Sequence, residues 1–175
     1  KLGVDCICFT NNDKLEYDDC EVIYVPMWNQ DSVRTARQIK ILPHKFLPRH
    51  YDCSVWVDGK VRVHKNPQKL LEKLLSSGKT FFARKHDKRD CVYAEAKHLI
   101  GLANTANFKD DPSIISDQMK HYREDGYPEN VDLIASYVLM RNHNDKHLME
   151  FEEKWWDLIQ NYSNRDQLAL PYSAW

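Results

Sequence analysis

The chain has 175 residues, with 25 Lys and Arg against 26 Asp and Glu and a formal net charge of -1. This balance argues against a general nucleic-acid or membrane-surface binder, which needs a basic excess, so any anion site must be local. The length suits one domain with its own core, and we expect residues 1–175 to form it. No apolar run approaches the ~20 residues that cross a bilayer, and the N-terminus lacks a signal-peptide layout, so we expect a soluble segment.

Short apolar runs and one amphipathic segment make up the first third of the chain. Residues 4–9 and 20–25 are apolar and β-prone, which predicts two buried strands. Residues 31–46 begin with good N-cap residues and mix apolar with basic positions, which predicts a helix that Pro43 ends or kinks. Residues 53–59 run apolar into an Asp-Gly turn, as a central strand does when its carboxyl end opens into a site.

Strand and helix patterns alternate through the remainder, which favours an α/β fold. A helix is also expected around the apolar positions from 151 to 159, and a capped turn or helix from 163. The other expected elements are strands at 61–63, 80–83 and 133–140 and helices at 67–75, 91–103 and 112–122.

The five cysteines are odd in number and show no C-x-x-C spacing. This argues against a closed disulfide framework or a zinc knuckle, so we expect reduced thiols. Cys6 and Cys8 lie in the first apolar run at strand spacing, where small buried side chains are the simplest interpretation.

Asp58 is the first candidate for chemistry, because it follows a buried strand and precedes Gly59. A carboxylate at a strand end can meet a ligand, and glycine lets that ligand approach the backbone. Carboxylate oxygen is a hard ligand that suits magnesium or manganese. The alternative is an ordinary Asp-Gly hairpin turn between residues 57 and 61.

Further polar candidates flank the helix at 31–46 and the strand at 133–140. His143 follows that strand and could supply a second metal ligand, or it is a solvated loop histidine. Arg34, Arg37 and Lys40 are spaced three apart, so they share one side of a helix. They could present a basic face to a diphosphate, or they form a solvated surface.

Two segments near helix starts complete the candidates. Asp166 and Gln167 lie at a predicted helix start, where Asp could act on a substrate or merely cap the helix. Residues 86–95 place charged and aromatic groups between a strand and a helix, which suits an acceptor-side loop or an ordinary surface.

Taken in order and spacing, several segments resemble the plant and bacterial glycosyltransferase-like family catalogued as domain of unknown function 616. The most specific is Tyr-Asp-Cys-Ser-Val-Trp-Val-Asp-Gly at 51–59. The resemblance spans most of the chain. The other segments that carry it are residues 36–44, 86–93, 126–128, 141–144, 155–156 and 165–168.

The resemblance implies a GT-A-like fold, an α/β Rossmann-type three-layer sandwich with a mixed, mostly parallel central sheet and the donor nucleotide at its strand ends. It also implies a glycosyltransferase that moves a sugar from a nucleotide-diphosphate donor to a glycan or other hydroxyl acceptor, in surface polysaccharide synthesis. Family members usually begin with a further strand, so we expect a domain trimmed at its N-terminus and part of a larger multidomain chain.

Asp58 looks like the counterpart of the Asp-x-Asp metal motif of such enzymes, although one of its two acids is absent. We therefore expect a divalent cation, manganese or magnesium, to share Asp58, His143 and the diphosphate. Asp166 would be the base if the reaction inverts, and the stereochemistry stays open. The assigned residues are Asp58 and Asp166 for catalysis; Arg37, Lys40, Asp58 and Gly59 for the donor; His86, Arg89 and Gln167 for the acceptor; and Asp58 and His143 for the metal.

Two other functions share these residues. A metal-dependent hydrolase would use Asp58, His143 and Asp166 to activate water. A binding domain for nucleotide or glycan would result if the catalytic set had decayed. The cysteine content and the missing signal favour a cytoplasmic enzyme near the inner membrane face, while a trimmed Golgi-lumenal domain would look similar.

Overall fold

The computed structural model describes residues 4–64, 66–105, 108, 110–131 and 133–175. It is a mixed α/β structure of small sheets and packed helices. The strands are β1 Ile7–Thr10, β2 Glu21–Tyr24, β3 Ser54–Val57, β4 Phe81–Lys85 and β5 Ile134–Arg141. The α-helices are α1 Ser32–Ile41, α2 Pro43–Phe46, α3 Gln68–Ser76, α4 Val92–Gly101, α5 Pro112–Glu124, α6 Lys146–Asn161 and α7 Asp166–Ala174, and a 3-10 turn covers Trp28–Gln30.

The predicted helix at 31–46 is divided at Pro43, as its missing N–H requires. The expected strand at 61–63 is wrong, since these residues have no regular structure. A turn forms instead, in which the Val61 N–H donates to the Asp58 carbonyl oxygen over 2.8 Å. The alternative of an Asp-Gly hairpin is therefore confirmed for the turn and wrong for the hairpin, because no strand follows the turn.

The strands form two sheets. β1 and β2 pair in parallel, whereas β5 lies between β3 and β4 and is antiparallel to both. The expectation of a mostly parallel central sheet is therefore wrong for β5. A single helix between two strands brings the chain back so that the second strand runs parallel to the first. Two helices, α4 and α5, lie between β4 and β5, so β5 runs in the opposite direction to β4.

This topology brings three chain segments together at one end of the strands, where β3 and β4 finish and β5 begins. The backbone N–H of Asp58, just after β3, donates to the Tyr137 carbonyl oxygen over 2.9 Å. The N–H of His86, just after β4, donates to the Leu133 carbonyl oxygen over 2.8 Å. We call this the Asp58 edge.

The main core lies where α6 and α7 pack on β5 and on the neighbouring helices. Trp155 and Ile159 of α6, Leu168 of α7 and Leu139 of β5 are fully buried. The Asp145 side chain caps α6 by accepting from the Leu148 N–H over 2.9 Å. Because α1 also packs on α6, the core fixes α1 and α7 beside the Asp58 edge.

A disulfide joins Cys6 to Cys20, so the expectation of reduced thiols is wrong for this pair. The parallel register pairs Ile7 with Glu21, which sets the two cysteines side by side just before the strands, with Cα atoms 4.5 Å apart. Cys8 and Cys53 are free and half-buried, and Cys91 is free and buried as a small core residue.

Within the described residues, no helix combines the length and apolar character that crossing a membrane requires.

Candidate functional site

Lys40 is at the centre of a buried polar cluster between α1, the Asp58 edge and α7. Its ammonium lies 3.0 Å from Asp58 Oδ1 and 2.6 Å from Asp166 Oδ2. It also donates to Ser136 Oγ over 3.4 Å. An ammonium has three N–H donors, so all are used. Lys40 therefore has no free N–H donor in this arrangement, and the donor-binding role predicted for it stays a prediction.

One carboxylate oxygen of Asp58 is held by hydrogen bonds, and the other has space for a ligand. The Trp56 indole Nε1 donates to Asp58 Oδ1 over 2.8 Å, beside the Lys40 contact. Trp56 and Asp58 are two residues apart, so a strand projects both to the same face. The Asp58 side chain is 22% exposed, and Oδ2 has no donor among the described residues. One carboxylate oxygen thus remains available for a ligand.

Asp166, the first residue of α7, is almost completely buried. Its Oδ2 accepts from Lys40 and, over 2.9 Å, from Ser136 Oγ, while Oδ1 lies 3.6 Å from Arg37 Nε. Burial raises the pKa of Asp166, but the charges of Lys40 and Arg37 and the hydrogen bonds outweigh it and hold that pKa below its usual range. An engaged carboxylate of low pKa is a poor proton acceptor, so the geometry does not favour Asp166 as the base.

The basic residues of α1 have different environments. Arg34 donates from Nε to the Ile159 carbonyl oxygen and from its terminal amino groups to Asp31 and Tyr162. It ties α1 to α6 and does not face the cluster. Arg37 donates from Nε to the Asn164 carbonyl oxygen over 3.4 Å and is half-buried.

His143 lies at the opposite end of the sheet from Asp58, so the predicted metal pair is not assembled. Asp58 sits opposite Tyr137, and His143 follows Arg141, the last residue of β5. The strand from Tyr137 to Arg141 alone covers about 13 Å. Both His143 ring nitrogens are buried without a partner in the described part of the chain. Burial, with the nearby Arg141 and His44, lowers the pKa of His143 and keeps the ring neutral.

The described residues contain no group of three or more His, Cys, Asp and Glu side chains that could hold a metal ion. The open oxygen of Asp58 is the ligand that the cluster offers. Magnesium is commonly bound by one or two carboxylates together with substrate phosphates. The residues therefore fit a cation that a substrate helps to hold, and they do not fit one bound by protein alone.

The residues assigned to the acceptor form a structured loop at the Asp58 edge. His86 Nδ1 accepts from the backbone N–H groups of Lys88 and Arg89, over 3.3 and 3.0 Å. The Arg89 guanidinium pairs with the buried Glu95 of α4. Gln167 is half-buried in the first turn of α7. Among the described contacts, none joins these side chains to Lys40, and their acceptor roles stay predictions.

A groove runs along the exposed side of α1. Its smaller cavity, about 180 Å³, lies at the carboxyl ends of β1 and β2 and is lined by Thr10, Val25 and Trp56 among others. Its larger cavity, about 320 Å³, is lined by Arg37 and by Asn164 and Arg165 of the α6–α7 connection. Both cavities are lined by Ser32 and Ala36, so they adjoin along α1. The exposed Gly59 belongs to the turn beyond Asp58.

Sequence reasoning did not assign Trp56, Ser136 or Arg165 to the site. The i, i+2 spacing of Trp56 and Asp58 is a signal that strand geometry could have used. Ser136 carries no such signal, because its position beside Asp166 depends on the direction of β5.

A family model described as TOD1/MUCI70, glycosyltransferase-like domain matches residues 21–175. The chain belongs to this family. It is also 28% identical over 149 residues to the "Probable hexosyltransferase MUCI70" of Arabidopsis thaliana, an alignment that covers 80% of this chain and 24% of that protein. No solved structure matches the chain significantly. The expected glycosyltransferase-like class is thus confirmed, although under a family description other than domain of unknown function 616.

Proposed function

We propose that this chain is a glycosyltransferase domain that moves a sugar from a nucleotide-diphosphate donor to a hydroxyl of a glycan acceptor. Family membership and the name of the Arabidopsis relative, a probable hexosyltransferase, support transfer of a hexose. The observation that carries the proposal is Asp58, with one oxygen fixed by Lys40 and Trp56 and the other open at a sheet edge beside a groove. A part in surface polysaccharide synthesis is the biological role that we assign to it.

The transfer has simple chemical requirements. The acceptor oxygen bonds to the anomeric carbon, the bond from that carbon to the diphosphate oxygen breaks, and its electron pair leaves with the diphosphate. The acceptor hydroxyl gives up its proton to an oxygen that accepts its hydrogen bond, for which this site supplies Asp58 Oδ2, and the proton then passes to solvent. A site must therefore orient the hydroxyl and neutralise the leaving group.

We assign the orienting role to Asp58 Oδ2, which can accept a hydrogen bond from a substrate hydroxyl. Lys40 and Trp56 hold Oδ1, so the carboxylate is oriented before the substrate arrives. A divalent cation, manganese or magnesium, stays a prediction. Asp58 would be its protein ligand, and it would supply positive charge to the diphosphate. Asp166 keeps Lys40 in position in this scheme.

A GT-A-like arrangement of the donor is part of the proposal. In open α/β sheets, ligands bind beyond the carboxyl ends of parallel strands. The smaller cavity lies at those ends of β1 and β2. We assign the nucleoside to it and the diphosphate to the adjoining larger cavity.

Product analysis tests the function directly. The purified domain is incubated with nucleotide sugars, with and without glycan acceptors and with manganese or a chelator. A transferase releases nucleoside diphosphate and extends the glycan only when the acceptor is present. Consumption of donor by water alone at the full rate would support the hydrolase, and tight nucleotide binding without turnover would support the binding domain.

The Cys6–Cys20 disulfide bears on the compartment. Disulfides form and persist in oxidising compartments and are rare in the cytosol. The disulfide therefore supports the Golgi lumen over the cytoplasm as the place where this domain works.

A further inference from the structure

Arg165 lines the larger cavity and has no anionic partner among the residues that the structure describes. It lines that cavity together with Arg37 and precedes α7 as its N-cap residue. Among the described residues its guanidinium forms no ion pair, and its Nε is buried without an acceptor. Its guanidinium carbon lies 6.0 Å from the centroid of the Phe108 ring. The terminal amino groups of Arg165 are not among the buried unpaired atoms, so an anion in the cavity can accept hydrogen bonds from them and supply the opposite charge.

The charges next to this cavity make Arg165 distinctive. Lys40 and Arg37 face Asp58 and Asp166, two cations against two carboxylates, so that cluster is neutral by itself. Arg165 lies outside it and adds one positive charge. Arg37 contacts Asn164 and Asp166 through its Nε, and within the described part of the chain its terminal amino groups have no hydrogen-bond acceptor, so a ligand can use them.

We infer that Arg165 and Arg37 together bind the phosphate groups of the nucleotide donor in the larger cavity. This inference rests on the proposed function and deepens it. Guanidinium groups bind phosphate through paired, charge-assisted hydrogen bonds, and two of them at one cavity suit the two phosphates of a diphosphate. The cavity of about 320 Å³ adjoins the smaller one at Ser32 and Ala36, which is the placement that a ligand extended over both would need.

The inference also gives the leaving group a source of positive charge other than a metal ion. Fixed guanidinium groups cost no reorganisation when charge develops on the diphosphate. Binding of the phosphates through Arg165 is therefore independent of a divalent cation, which an experiment in chelator can examine separately from turnover.

The test measures binding of inorganic pyrophosphate by isothermal titration calorimetry, in EDTA and again with manganese. The variants are R165Q, R165K and the control R49Q, which removes an exposed arginine that precedes β3 at the other end of the sheet. We expect wild-type protein and R49Q to bind equally in EDTA, and R165Q to bind about 10- to 100-fold more weakly. R165K should be intermediate, because lysine keeps the charge but not the planar fork. Thermal melting checks that each variant is folded.

Several outcomes would overturn the inference. The first is unchanged pyrophosphate binding in R165Q. The second is pyrophosphate binding that occurs only with manganese. The third is seen in a parallel titration with glucuronate, a carboxylate sugar, if the protein binds it and does not bind pyrophosphate. Turnover of nucleotide sugars is measured on the same samples. If transfer is intact and pyrophosphate binding does not depend on Arg165, the inference is wrong and the proposed function stands. Arg165-dependent binding without any transfer retains the phosphate site and removes the function.

Discussion

Lys40 and Asp166 form an ion pair of 2.6 Å, with side chains only 1% and 7% exposed. Neither residue is near the other in the chain, and the pair joins α1 to the first turn of α7. It also brings the Lys40 ammonium within 3.0 Å of Asp58 Oδ1. The orientation of the open Asp58 oxygen therefore depends on a pair that is shielded from water.

Removal of Lys40 should destabilise the fold strongly. K40M removes the closest cation from the buried Asp166 and leaves Arg37, 3.6 Å away, as its remaining charged partner, and breaking a buried pair costs about 3–5 kcal/mol. Unfolding in urea measures the change. The double variant K40M/D166L should recover part of the loss, because it removes both charges. The matched control is K120M, an exposed lysine of α5, which should change stability by less than about 0.5 kcal/mol. A K40M loss as small as that of K120M would contradict the structural role of Lys40.

The lowered pKa of Asp166 predicts a loss of stability in acid. A carboxyl group whose folded pKa lies below its unfolded value stabilises the fold above the unfolded value, and the gain disappears as pH falls through the folded pKa. Stability should therefore decline below about pH 4, near the unfolded pKa of Asp. Urea unfolding between pH 7 and 3 should show a shallower decline in D166N. Equal slopes for wild type and D166N would contradict the shift.

His143 is a second group whose lowered pKa makes the fold sensitive to acid, and here the cause is burial, which favours the neutral ring. Its folded state resists protonation, so stability should fall as pH decreases through about 6.5, the unfolded value. H143M should flatten this dependence, cost less than about 1.5 kcal/mol at pH 8 and retain transfer within about twofold. A folded H143M that has lost transfer, and that regains it when manganese is added, would support His143 as a metal ligand.

The disulfide predicts a thiol count. Without reductant, the denatured chain should react with a thiol reagent at three cysteines, Cys8, Cys53 and Cys91. After reduction it should react at all five. C20S opens a loop of sequence separation 14, for which loop entropy gives about 3 kcal/mol of destabilisation. The control is C8S, which removes a free, half-buried cysteine. C91S is unsuitable because Cys91 is buried. Five reactive thiols in secreted, unreduced protein would contradict the pairing.

Much of the site's location follows from the sequence near Asp58. The apolar run before it and the Asp-Gly turn after it identify a strand end that opens to solvent, and the structure has β3 ending there. The spacing of Arg37 and Lys40 identifies a basic side of α1. Burial of that side could not be predicted, because it depends on Asp166, which lies far along the chain.

One topological detail accounts for the distance between His143 and Asp58. In a parallel sheet, the carboxyl ends of β3 and β5 would meet, and His143 would lie beside Asp58. The second helix between β4 and β5 reverses β5 and moves His143 to the other end. The same reversal brings Ser136, at the start of β5, to Lys40 and Asp166. The extent of the single domain over residues 1–175 stays a prediction.

The most direct test of the proposed role of Asp58 is the transfer rate of D58N beside the control D117N. Asn keeps an oxygen that can accept from Lys40 and Trp56 but removes the charge, and Asp117 is an exposed residue of α5. We expect folded D58N to transfer sugar at least about 100-fold more slowly than wild type, a loss typical of one preorganised electrostatic group, and D117N to match wild type. Transfer by D58N within a few-fold of D117N would contradict the role of Asp58.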